Sequence, residues 1–126
     1  MISEIAKEAL TMSVVPVILG DGFSARVLAM KVFFKYGLQC VICDEKQSAW
    51  RHLLGFGGFY RIVKGEGELF EQELDAIESL SDGALIVIAP CKEDFESLVA
   101  ASRENIEKRF ILASRENLLS KIYPKD

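Results

Sequence analysis

The feature that most restricts how this chain can fold is a set of short, almost wholly apolar runs, each closed by a turn signal. Residues 14–19 read VVPVIL and end in Gly20-Asp21-Gly22, residues 39–43 end at Asp44-Glu45, and residues 84–89 end at Pro90. Runs this short cannot make a helix core, and they lack the in–out alternation of a sheet with one wet face. They suit strands buried on both sides, as in a parallel sheet covered by helices.

Between the first two runs the period changes. Ala25, Leu28, Ala29, Val32, Phe33 and Tyr36 recur at helical spacing and define one face. Asp21 or Ser24 is expected to cap this helix, and Gly37 to end it. Residues 48–54 suit a short helix, the glycine-rich residues 55–58 a loop or ligand flap, and residues 59–63 a strand. Residues 68–80 form a helix with Phe70, Leu74 and Ile77 inward and Glu71, Asp75 and Glu78 toward water. Ser81-Asp82-Gly83 stops it, and the acids from Glu66 to Glu73 read as a solvated face. A helix over 93–102 buries Phe95, Leu98 and Val99, a strand follows at 110–112, and Ser114 caps a last helix through Ile122.

Strand and helix thus alternate, with connections long enough to need right-handed crossovers. The expected fold is a doubly wound, five-stranded parallel sheet in order 3-2-1-4-5, a Rossmann-like three-layer α/β sandwich. At 126 residues the chain fits one domain, with its core over 13–122 and an N-terminal segment at 1–12. The repeat of Ala101-Ser102-Arg103-Glu104-Asn105 at 113–117 is too short for a repeat architecture.

Charge and composition remove several classes of function. A net charge of −4, with no basic run interleaved with aromatics, argues against a nucleic-acid partner. The longest apolar run, residues 14–20, falls well short of the ~20 residues that cross a bilayer, so no membrane span is expected. The first residues lack the pattern of a signal peptide, and three cysteines make an odd count, so a cytoplasmic protein is expected.

Candidate chemistry gathers where strands end. Gly20-Asp21-Gly22-Phe23-Ser24-Ala25 matches G-x-G-x-x-A between a strand and a helix, and Asp44 closes the next strand about 20 residues on. Three readings stay open: an NAD(P) site with Asp44 on a ribose hydroxyl, a site for another small anion on the helix N-terminus, or a turn that serves packing alone. Against a dinucleotide, Pro16 removes a donor from a central strand and Phe23 is bulky beside a pyrophosphate path. Pro90 and Cys91 follow the fourth strand at the same edge. Cys40 and Cys43 have C-x-x-C spacing, but within a strand they point to opposite faces and cannot pair. A single histidine, His52, rules out a multi-histidine metal site or a histidine-bridged pair, and no catalytic residues are assigned. Finally, Val27, Met30 and Phe34 form a second apolar stripe on the first long helix, a surface for a homodimer or another partner.

Val15-Pro16-Val17-Ile18-Leu19-Gly20, a polar turn, Ala25-Arg26 and a helix ending Phe34-Lys35-Tyr36-Gly37 resemble the N-terminal domain of ATP-grasp carboxylate–amine ligases of the D-aspartate ligase-like branch. Residues 85–89, a polar turn, and Phe110-Ile111-Leu112 leading into Asn117-Leu118-Leu119-Ser120-Lys121 resemble the rest of that domain, so the likeness runs over residues 14–121. The resemblance implies a Rossmann-like pre-ATP-grasp domain that helps form the acceptor-substrate side of a ligase. ATP and magnesium would belong to ATP-grasp domains starting near Tyr123-Pro124, and their lysines and metal ligands have no counterpart here. A chain of this kind is expected to bind a small anionic ligand at Gly20–Ser24, Asp44, Pro90 and Cys91, with no cofactor and no ligation by itself.

Overall fold

The apolar runs become strands because the middle of the sheet is covered on both faces, and every position of residues 14–19 is buried. The computed structural model describes residues 3–10, 12–65, 67–81 and 83–122. Its strands are β1 (Val14–Leu19), β2 (Val41–Asp44), β3 (Gly58–Arg61), β4 (Leu85–Pro90) and β5 (Ile111–Leu112). They form one all-parallel sheet in the order β3-β2-β1-β4-β5. The helices are α1 (Glu4–Leu10), α2 (Phe23–Tyr36), α3 (Glu68–Ser81), α4 (Glu93–Ala101), α5 (Arg103–Arg109) and α6 (Leu118–Ile122), with a 3-10 turn at Ala49–His52. This is the Rossmann-like α/β fold expected from the sequence. Glu66, Asp82 and Tyr123-Pro124 lie outside the described residues.

Strand alternation divides the core into two layers. Val15, Val17 and Leu19 pack with Phe70, Leu74 and Ile77 of α3, Phe95 and Val99 of α4 and Ile106 of α5. Val14 and Ile18 pack with Ala25, Leu28, Ala29 and Val32 of α2 and Leu118 and Ile122 of α6. Cys43 lies in the first layer and Cys40 in the second, as opposite-face geometry requires.

Pro16 sits in the central strand without breaking a ladder. The Gly20 N–H donates to the Cys43 carbonyl, so even-numbered positions of β1 face β2. The β1–β2 register begins only at Val17↔Val41. The donor that proline lacks would have pointed below the start of β2.

Several local expectations need correction. The cap of α2 is Gly22, in extended conformation and with no side-chain cap, rather than Asp21 or Ser24. Asp21 is drawn away by an ion pair described below. Gly37 does end α2, at φ 70°. Residues 48–54 make only the 3-10 turn, and the final helix starts at Leu118 because Ser114 and Asn117 instead close a turn on each other. The helix expected over 93–102 stops at Ala101, and α5 follows, unread in the sequence because it buries only Ile106. It is held to α3 by Arg109, which pairs with Asp75 and Glu78, and by Asn105 on Glu71. The N-terminal segment, set outside the core, contributes buried Ala6, Ala9 and Leu10 through α1.

The glycine-rich stretch is no flap. Gly57 and Gly58 are buried, Gly57 donates to the Gln39 side chain, and Gly58 opens β3. A Cβ on Gly58 would stand 2.2 Å from the Ala6 nitrogen, so α1 lies directly on the β3 backbone.

Candidate ligand-binding edge

The C-terminal edge of the sheet is built around two buried aspartates. Asp21, 3% exposed, follows β1, and Asp44, 2% exposed, ends β2. Arg26, on the first turn of α2, folds back onto Asp21. Its Nε donates to Oδ1 at 2.8 Å and its Nη2 to Oδ2 at 2.7 Å, a bidentate pair almost wholly out of water. The Ser48 N–H donates to the same Oδ2 at 2.9 Å, so Asp21 also pins the loop after β2.

Asp44 is equally occupied. Its Oδ2 accepts from the Asp21 N–H at 2.8 Å and from Lys92 Nζ at 2.7 Å, and its Oδ1 accepts from the Glu45 N–H at 2.7 Å. Burial alone would raise the carboxyl's pKa. The Asp21 amide, the Lys92 ammonium and the Glu45 amide outweigh it and hold Asp44 below the ordinary carboxylate value. Lys64 stands 3.6 Å from Asp44 and bonds Asp94 at 2.6 Å, which lifts the Lys64 pKa despite partial burial.

The fingerprint glycines are used by the protein itself. Gly20, at φ 108°, would put a Cβ 2.8 Å from Lys92 Cγ, so the lysine stem lies across the turn where a pyrophosphate would approach. Gly22 faces the far end of the same side chain, and Ser24 is exposed at the start of α2. Phe23 points outward and meets Trp50 edge-on, 4.8 Å between ring centres. Pro90 ends β4 opposite Leu19, and Cys91 turns inward to the α2 layer. The fold therefore brings Gly20, Asp21, Gly22, Asp44 and Lys92 into one network and leaves Phe23 and Ser24 outside it. Sequence reading missed Lys64 and Lys92. The signal was faint: each is a lone lysine just beyond a strand.

Chemically the edge is a set of paired charges. Its two buried aspartates each accept three hydrogen bonds, and His52 stands exposed on the 3-10 turn. Among the described residues, no three His, Cys, Asp or Glu side chains gather as a metal site, and no helix is long and apolar enough to cross a membrane. No protein-family model, curated protein or solved structure matches the chain.

Burial also silences the thiols. It pushes Cys40 and Cys43 far above the ordinary thiol range, and it raises Cys91 to about 11 against a smaller opposing pull from Arg115. A thiol-reactive dye at neutral pH is expected to leave all three cysteines unlabelled in the native protein and to label all three in denaturant. A rapid native burst on any one of them would contradict its placement.

Proposed function

We propose that this chain is a non-catalytic binding domain of the pre-ATP-grasp kind, holding a small anion at the strand C-terminal edge and working docked against a second protein surface. The observation that carries the reading is the outward face of α2. Phe23, Val27, Met30 and Phe34 recur along it at helical spacing, on the side opposite the buried Leu28 and Val32. Phe34 is 72% exposed and Phe23 52%, with Trp50 beside the latter at 42%. Phe56 extends the patch at the other end, 5.3 Å from Phe34. A continuous apolar stripe of this kind is what an interaction surface presents.

Val27 and Met30 are half-buried already, so the gain from covering the patch comes mainly from Phe23, Trp50 and Phe34, at up to roughly 1.5–3 kcal/mol each before association costs. A second copy is the commonest cover for such a patch, and an ATP-grasp domain is the other occupant that the resemblance implies.

The alternative, an NAD(P)-binding module, asks Asp44 to release the Asp21 amide, the Glu45 amide and Lys92 to reach a ribose, and asks the Lys92 stem to leave Gly20. Both demands work against that reading. The isolated chain is expected to release no phosphate from ATP above a blank and to give flat calorimetric titrations with NAD and NADP. Tight dinucleotide binding, abolished by Asp44→Ala, would overturn the proposal in favour of the alternative.

A further inference from the structure

At the glycine turn the Lys92 stem already lies against Gly20, and a second group of basic residues stands nearby. From residue 46 to residue 65 the sequence holds no acid, while Lys46, Arg51, Arg61 and Lys64 are basic. The fold collects the first three of these around one cleft of about 450 Å³ beyond β3, also lined by Gln47 and Phe59. That volume lies within the range of small-molecule sites, about 300–1,000 Å³.

The cleft has a built frame. Phe59 and Arg61 are two residues apart on β3 and so project from the same face of the strand. The facing wall, the loop after β2, is pinned by the Ser48 N–H on buried Asp21. Arg51 is drawn into place by its Nη1, which donates to the Ser48 carbonyl at 3.0 Å. The opposite rim is held by the Ser3 N–H on the Phe59 carbonyl at 3.2 Å.

The charges on this frame are uncompensated. Among the described residues, Lys46, Arg51 and Arg61 have no acidic partner within 4.0 Å. The one acid on the lining, Glu45, is directed to Lys64, whose N–H it accepts at 3.3 Å and whose Nζ lies 3.9 Å away. This contrasts with the sheet edge proper, where Arg26, Lys64 and Lys92 are each paired with aspartate. Within one small region some cations are spent on the fold and three are left facing a cavity. Two guanidinium groups and an ammonium lining one cleft suit a compact ligand with adjacent anionic groups.

We propose that the cleft lined by Lys46, Arg51, Arg61 and Phe59 binds a small polyanion, of phosphate or polycarboxylate type. The assignment rests on the anion-binding part of the proposed function and is independent of whether α2 docks a partner.

The test is calorimetric titration of the full chain with pyrophosphate and, separately, with citrate, at one fixed low ionic strength. Saturable one-site binding of either is expected, and the tighter of the two names the ligand type. Lys46→Ala and Arg61→Ala, both exposed and so not expected to disturb folding, should each weaken it by about tenfold or more. Lys31→Ala and Lys35→Ala, on exposed positions of α2, should leave it unchanged. Amide shifts on titration should centre on residues 46–51 and 59–61. No saturable binding, or binding indifferent to Lys46→Ala and Arg61→Ala, would overturn the assignment. Equal loss in the α2 variants would do so as well, since it marks a diffuse charge effect. Shifts confined to residues 22–25 would move the anion to the glycine turn, leaving the proposed function standing and the cleft refuted.

Discussion

Asp21→Ala is expected to destabilise the chain by about 3–5 kcal/mol, a large share of the total for a domain of this size. The substitution removes one carboxylate and strands three donors. Arg26 keeps its charge at 3% exposure with no counter-ion, and the Ser48 N–H loses its acceptor. Leaving a charge buried and unpaired costs far more than the pair itself contributes, because the desolvation of the guanidinium is no longer offset. A urea midpoint measured for Asp21→Ala and for the double variant Asp21→Ala/Arg26→Met separates the two contributions. The double variant should recover much of the loss, since no charge is left stranded. A single variant within about 1 kcal/mol of wild type would show that the pair is solvated and that Asp21 does not hold the edge together.

Gly58→Ala should be comparably damaging for a different reason. Overpacking a filled site usually costs about 1–3 kcal/mol, when a side chain can shift to make room. At Gly58 the obstacle is backbone: the added Cβ would meet the Ala6 nitrogen at 2.2 Å and the Ile5 carbonyl carbon at 2.7 Å. Helix α1 must lift from β3, taking Ala6, Ala9 and Leu10 with it. About 3 kcal/mol or more of stability should go, with hydrogen-exchange protection lost first in α1. Gly67→Ala is the control. It carries φ 60° but has nothing within 4 Å of its Cβ, so only the backbone term remains. Equal, mild effects at the two positions would mean that α1 does not rest on β3.

The sheet was legible because burial on both faces leaves an unmistakable mark: residues 14–19 and 84–89 tolerate almost nothing polar. Crossover length then implied parallel pairing, and the usual arrangement of five such units supplied the order 3-2-1-4-5. Helices α1 and α5 were missed because they are short and bury few side chains, so their periodicity is weak, and α5 depends on ion pairs with distant α3. The edge was half legible. The glycine turn and Asp44 stood out from spacing alone, yet spacing could not say that Lys92, separated from Asp44 by 48 positions, would fill the turn and neutralise the acid. The outer stripe of α2 was visible in Val27, Met30 and Phe34. Trp50 and Phe56 joined it only once the loop beside α2 had folded.

Static light scattering over a concentration series, on the wild-type chain and on Phe34→Lys, measures most directly whether α2 is a docking face. The wild type is expected to rise toward twice its 14.1 kDa mass as concentration increases, and Phe34→Lys to stay at the monomer mass with its thermal unfolding unchanged. Phe34 is 72% exposed, so a lysine there meets water in the monomer and an apolar partner only in the dimer. A monomer at every concentration, unaltered by Phe34→Lys, would contradict self-association through α2.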